Sequence, residues 1–256
     1  MTGSHDTPSP LPAATRLAWW GTAWLRGHVV ADLLVDAVID TEATHVVAGL
    51  AGLGLGGDEG VADTLMSGLV RLRAEGATGF GAAFPAEGDP VGLGGPPAFN
   101  AAALEVGEAV VALDVAFGLV PRRVGAATTW HVHHAGRRQL PDVSEADRAL
   151  RTALMETAET LARLEVARWN PEVADRLMDL RHRPAVVGPP GIPARCVELA
   201  ARGVQASEIV ELALEDDGGA LTSYDAEARR RALVPLGRAA RRALVAASSP
   251  EVWPPT

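Results

Sequence analysis

The 256-residue chain of 26.6 kDa is 48% hydrophobic and 21% charged, the composition of a folded globular protein rather than a disordered or fibrous one. Its 23 basic residues are all arginine, so chemistry that needs a lysine amine, from Schiff bases to a P-loop lysine, is excluded. The formal charge of −9 sits in the first half: residues 1–121 carry 4 Arg against 14 carboxylates, residues 122–256 carry 19 against 18, and this balance argues against general nucleic-acid binding.

Residues 1–11, rich in Ser, Pro and Thr without periodicity, are expected to form a disordered tail. The sequence opens without a basic and apolar leader. Its longest uncharged stretches, Ala43–Gly57 and Pro90–Leu104, are 15 residues each, short of the roughly 18 apolar residues of a membrane span. The expectation is a soluble cytoplasmic protein that does not enter membranes.

From Pro12, Leu17, Trp20 and Trp24 share one face of a predicted helix that stops at Gly27, and Asp32–Ile39 continues as a second. His45–Leu50 then reads as a buried strand, Asp58–Glu75 as a helix and Gly79–Pro85 as a strand. Such a unit normally forms a right-handed crossover between parallel strands. The turn-rich Gly88–Pro97 leads to a short helix near Phe99–Val106, followed by strand regions at Glu108–Val120 and Thr128–His134.

The remainder reads as helical. Ser144-x-x-Asp147 has the form of a capping box before a helix with Leu150, Leu154, Leu161 and Leu164 on one face. Asn170-Pro171 starts another, with Val173, Leu177 and Leu180 inward. Further helices are predicted near Ala194–Arg202, Ala206–Asp216 and Ser223–Ala247, the last kinked at Pro235. The predicted architecture is α/β or α+β: a small mixed or parallel sheet with flanking helices at 12–140, then a helical region at 141–256, separate or packed into one domain.

Gly52-x-Gly54-x-x-Gly57 fits a dinucleotide-binding loop in form, after a predicted strand and before a predicted helix. Asp58 and Glu59 would repel a phosphate there, so a plain Gly-rich connection is the simpler reading. Gly88–Pro97 looks like an ordered turn, because Asp89 can accept backbone bonds and Gly92, Gly94 and Gly95 permit positive φ. If a small ligand binds a sheet-end crevice, Gly52, Gly54, Gly57, Asp89, Gly94 and Asn100 are the residues expected around it.

His131 and His133 alternate on a strand and project to one face, a spacing that supplies two metal nitrogens, with His134 adjacent. Gly125-x₅-His131-x-His133 resembles the first half of the cupin motif over about nine residues. Arg137 and Arg138, however, stand where that motif has a glutamate, and solvated surface histidines are the plainer reading. Glu42-x-x-His45 and Asp179-x-x-His182 have metal spacing in contexts that favour structural roles. Cys196, beside Arg195, is either an activated thiol or a buried small hydrophobe, the latter favoured by Val197, Leu199 and Ala200 around it.

Arg229, Arg230, Arg231, Arg238, Arg241 and Arg242 lie within 14 residues free of carboxylates. Such a stripe either binds an anionic membrane or nucleic acid, or pairs internally with the acidic segments. The internal reading is favoured, since stacking aromatics are missing. Trp19 falls off the face shared by Trp20 and Trp24 and is expected to be exposed, which points to homodimerisation or helix docking.

The segments AWWGTAWLRG (18–27) and GDPVGLGGPPAFNAAALEVGEAVV (88–111), with the Arg/Ala-rich helical end, resemble proteins of GC-rich actinobacteria that have no assigned activity. This resemblance implies neither a reaction nor site residues. Two readings of function follow. One is a non-catalytic protein that binds a small ligand or protein partner; the other is a metal- or nucleotide-dependent enzyme using His131, His133 or His134. The enzyme would need a carboxylate such as Asp89 or Asp114 within hydrogen-bonding reach of those histidines. No cofactor or catalytic residue is named by the sequence.

Overall fold

The computed structural model describes residues 8–163, 185–215 and 223–254. The expected helix after Asn170-Pro171 and the Asp179/His182 pair lie outside these residues.

Helix α1 (Ala13–Leu25) begins after Pro12, whose fixed φ of −55° suits a helix entry, and gives way at Gly27, at a φ of 74°. Helix α2 (Ala31–Ile39) packs on it. Then come strand β1 (Thr44–Ala48), a short strand β2 (Asp63–Thr64) and helix α3 (Leu65–Ala74). Strand β3 (Phe80–Ala83) and helix α4 (Pro97–Val106) precede β4 (Ala109–Ala112), β5 (Phe117–Val124) and β6 (Ala127–His134). Helices α5 (Val143–Arg163), α6 (Ala194–Glu215) and α7 (Ser223–Ala247) complete the described chain. The architecture is a mixed six-stranded sheet with flanking helices and a C-terminal helical region, as expected.

The sheet order is β2-β1-β6-β5-β4-β3. Only β1 and β6 pair in parallel; every other pairing is antiparallel. Here the sequence reading needs correction. The predicted crossover unit would make β1 and β3 parallel neighbours, but three strands separate them and they run in opposite directions. At about 4.8 Å per strand they stand roughly 19 Å apart. The residues between β1 and α3 form a 3₁₀ turn at Ala51–Leu53 and a Gly-rich loop, and α3 starts at Leu65, seven residues late. It is capped by Thr64, whose hydroxyl accepts from the Ser67 amide at 3.2 Å.

Two further boundaries moved. Glu108–Val120 is a hairpin turning at Asp114, which has a φ of 64°. The two helices expected from 194 to 216 are one continuous helix through Gly203, packed closely against Ala240 and Leu244 of α7. Ser144 is not the cap of α5. Asp142 Oδ1 accepts from the amides of Ser144 and Glu145 at 2.8 and 3.0 Å, leaving the Ser144 hydroxyl to accept from Arg195 at 2.6 Å.

Period-2 alternation sorts the strands into two faces. Val47, Trp130, Val132, Leu119, Val110 and Ala112 join α1 and α3 in the main core, which also receives Leu150 of α5, Leu199 of α6 and Leu236 and Leu244 of α7. On the opposite face α4 packs over β5 and β6 around Phe99, Ala103, Val111 and Val120. Trp19 corrects the expectation of exposure: it is fully buried, while Trp20 and Trp24 are half-buried. Helix α1 is covered around most of its circumference, with Ala14, Leu17, Ala18, Gly21 and Thr22 all buried, so a one-face pattern misplaces its wet side. The Trp19 indole N–H donates to Ala247 O at 3.0 Å, tying α1 to the end of α7.

The C-terminal segment covers the β3 edge. The Ala82 amide donates to Ser248 O at 3.0 Å, and the buried Arg138 donates to Ala82 O, Ser249 Oγ and the Glu251 carboxylate at 2.8–3.2 Å. At the other terminus the Ser9 amide bonds Asp40 Oδ2 at 3.0 Å and Leu11 is buried.

Candidate functional site

The chain Ala86-Glu87-Gly88-Asp89 closes on itself after β3: Ala86 and Asp89 exchange backbone hydrogen bonds at 3.0 and 2.9 Å, with Gly88 at a φ of 68°. The turn presents Asp89 to one face of α7. Arg238, Arg241 and Arg242 stand there at i, i+3 and i+4, the spacing that places side chains together on a helix. Asp89 Oδ1 lies 3.0 Å from Arg242 Nη2; Oδ2 lies 3.4 Å from Arg241 Nη2 and 3.7 Å from Arg238 Nε. The carboxylate is buried, but the Arg238 and Arg242 side chains are 51% and 45% exposed. One anion therefore faces three cations whose outer edges reach solvent.

Beside this cluster is a cleft of about 550 Å³ with Asp89, Gly94, Arg137, Gln139, Glu145 and Arg242 in its wall. A second, of about 490 Å³, shares Glu145 and Arg242 and adds Arg148 and Arg238. The floor is rigid. Gly94 packs so close to Arg137 O that a Cβ would come within 2.1 Å, the Gly95 amide donates to Asn100 Oδ1 at 3.0 Å, and the Gly136 amide donates to Gly95 O at 2.7 Å.

The expected crevice residues thus divide. Asp89 and Gly94 line the cleft and Asn100 braces its loop, whereas Gly52, Gly54 and Gly57 lie in the β1–β2 connection, at the other side of the sheet. There Arg71 packs against Gly56 and Gly57, while Gly52 and Gly54 face open space. Arg71 donates to Leu55 O at 3.2 Å and Asp63 Oδ1 at 3.3 Å, and a Cβ on Gly56 would come within 2.5 Å of it.

His131 and His133 do share a face of β6, half-exposed beside α4. His133 lies 6.0 Å from the Phe99 ring, and Arg122, bonded to Glu105 at 2.7 Å, stands near both. Burial lowers both pKa values, and the Arg122 charge adds to the effect. His134 projects to the other face and stacks on Phe117 at 5.7 Å. The two carboxylates given as examples for an enzyme are engaged elsewhere: Asp89 faces the arginines of α7, and Asp114 accepts from Thr78 Oγ1 across the hairpin. Among the described residues no group of three or more His, Cys, Asp or Glu could hold a metal ion. Cys196 is buried and burial pushes its thiol up to about 11, as expected of a small core residue.

Glu42 and His45 do come together, but inside the core. The Trp130 indole N–H donates to His45 Nδ1 at 3.1 Å, and Nε2 lies 3.2 Å from Glu42 Oε2, off the line of a hydrogen bond. Glu42 also accepts from Thr128 Oγ1 at 2.5 Å and lies within 3.8 Å of Arg16 and Arg123. Burial lowers the His45 pKa despite Glu42, so the ring is held neutral. A third cavity, of about 520 Å³, lies between α6, α7 and the α4–β4 turn; Glu108 and Arg241 line it among Leu11, Phe84 and Leu244.

The arginine run was visible in the sequence, but its counter-charge was not, since nothing local links residue 89 to α7. Residues 14–145 match the Rv1486c-like protein, N-terminal domain, and residues 144–245 match the Rv1486c-like protein, C-terminal domain. The chain belongs to the Rv1486c-like protein family. This family is without an assigned function, in agreement with the actinobacterial resemblance. No curated protein and no solved structure matches the chain. Among the described residues no helix is long and apolar enough to cross a membrane.

Proposed function

We propose that this protein is a non-catalytic binding protein whose ligand is a small anion, held in the cleft between Asp89, Arg137 and Arg242. One observation carries the reading: a single buried carboxylate is set against three clustered arginines, two of them about half exposed at the cleft wall. Like charges at i, i+4 weaken a helix by about 0.2–0.5 kcal/mol per pair, so the arrangement at Arg238 and Arg242 is not one that helix stability selects. Guanidinium groups are also the only cationic side chains of fixed charge in this chain, and their forked donors match oxyanions.

The reading requires no nucleophile or proton-transfer pair, in keeping with a thiol pushed up to about 11 and with His131 and His133, which have no carboxylate ion pair among the described residues. A ligand that binds only the folded state raises its stability. A thermal-shift screen of small anions against the wild-type protein and Arg242→Gln is the test: an increase in Tm that depends on Arg242 is expected, and no shift with any anion would overturn the reading.

A further inference from the structure

The charge count of the cleft identifies the class of anion. Across the two adjoining clefts and the Asp89 cluster, Arg137, Arg148, Arg238, Arg241 and Arg242 bring five positive charges, while Asp89, Glu145 and Glu156 bring three negative ones, an excess of two. Arg137 is exposed and has no ion pair among the described residues, and Arg238 makes no contact with Asp89 shorter than 3.7 Å. Each guanidinium has five N–H donors, of which Asp89 engages one each from Arg241 and Arg242 at hydrogen-bond distance. The first amides of α5, at the same cleft, are already taken by Asp142, so the helix end adds little.

We infer that the cleft takes a dianionic headgroup, a phosphate monoester or a dicarboxylate, bridging Arg137 on one wall and Arg242 on the other. This rests on the binding reading above. Two negative charges would neutralise the excess, whereas a monocarboxylate would leave half of it in place. Asp89 acts as a fixed internal anion that spreads the arginines into position before the ligand arrives, so less ordering is needed on binding. The apolar rim of Val91, Leu93 and Leu140 favours a ligand with a short hydrocarbon part beyond its charged head.

The test is isothermal titration of the full chain at pH 8 and constant ionic strength with inorganic phosphate, succinate and acetate. It compares wild-type protein with Arg242→Gln, Arg137→Ala and Arg73→Ala, the last a surface arginine stacked on Trp24. Because Arg242 supports Asp89, its variant is also open to folding defects; Arg137 makes no ion pair among the described residues, so Arg137→Ala keeps the comparison clean. Binding of phosphate, succinate or both is expected, weakened on the order of tenfold by Arg137→Ala and Arg242→Gln and unchanged by Arg73→Ala. Phosphate alone would identify a phosphoryl group, succinate alone a dicarboxylate. Acetate binding as tightly, with the same Arg137 dependence, would overturn the dianion inference and leave the binding reading standing. No binding of any of the three, or equal losses in Arg73→Ala, would overturn the inference; the wider anion screen then decides the binding reading separately.

Discussion

Asp89 Oδ1 meets Arg242 Nη2 at 3.0 Å across 153 residues of chain, joining a turn of the sheet region to the face of a helix in the C-terminal region. That contact makes the two regions share one electrostatic centre, and it places the candidate site where they meet.

Replacing Asp89 with Asn keeps the shape and removes the charge. Breaking a fully buried pair costs about 3–5 kcal/mol, but Arg238 and Arg242 can turn to water, so the expected loss is nearer 1–3 kcal/mol. Tm should fall by several degrees. The same variant carries one more net positive charge in the cleft, so sulfate or phosphate should restore more stability to it than to the wild type. Urea unfolding with and without added phosphate checks both parts.

Stability should decline on mild acidification because of His45. Its folded pKa lies below the unfolded value of about 6.5, so under acidic conditions the unfolded chain takes up a proton that the folded chain refuses. The stabilising contribution is present above about pH 6.5 and is lost as pH falls from there toward the folded value. A protonated ring would also direct an Nδ1 donor at the Trp130 indole donor. Urea midpoints from pH 7.5 to 5 should fall in the wild type and fall less steeply in His45→Gln; equal slopes would remove His45 as the cause.

Glu108 acts in the opposite direction. Its carboxyl accepts from the Ala14 amide at the start of α1, yet burial raises its pKa above the ordinary carboxylate range. Folding then favours the protonated form, and stability is lost as pH rises through the folded value. Glu108→Gln can still accept the Ala14 bond without carrying a charge. It should be more stable than the wild type at pH 8 and lose that advantage near pH 4, as a pH series of melting curves would reveal.

Gly81→Ala should be severely destabilising. A Cβ there would come within 2.0 Å of Arg138 Nη2, and this guanidinium has no room to move: its side chain is 2% exposed and is held by Ala82, Ser249 and Glu251. Overpacking and disturbance of a buried charge together predict a loss of about 3 kcal/mol. Chemical denaturation would test it; a loss under about 1 kcal/mol, the size of an ordinary substitution, would show that Arg138 can rearrange.

Ending the chain at Ala247 should uncover the β3 edge. Ala82 would lose its partner at Ser248, and Arg138 would lose both Ser249 and Glu251. An open strand edge pairs with other chains, so the truncated protein should self-associate in light scattering at concentrations where the full chain does not.

Local order was legible in the sequence. Pro12 and Gly27 bracket α1 because one fixes φ and the other tolerates positive φ, and alternation marks Thr128–His134 because side chains of a strand point to opposite faces. The arginine run with no carboxylate among its residues was equally plain, as was the turn chemistry of Gly88–Pro97. Those features depend on neighbours a few positions apart, where chain connectivity limits the choices.

Pairing across the chain was decided only by the tertiary structure. Sheet order followed long-range packing, which put β6 beside β1 and sent β3 to the far edge, and it separated the Gly52–Gly57 loop from Asp89. Trp19 became core because the end of α7 covers the side of α1 that an isolated amphipathic helix would leave wet. Asp89 found its three arginines for the same reason. Charge attraction and burial act through space, and one-dimensional periodicity carries no record of which distant residue will stand opposite.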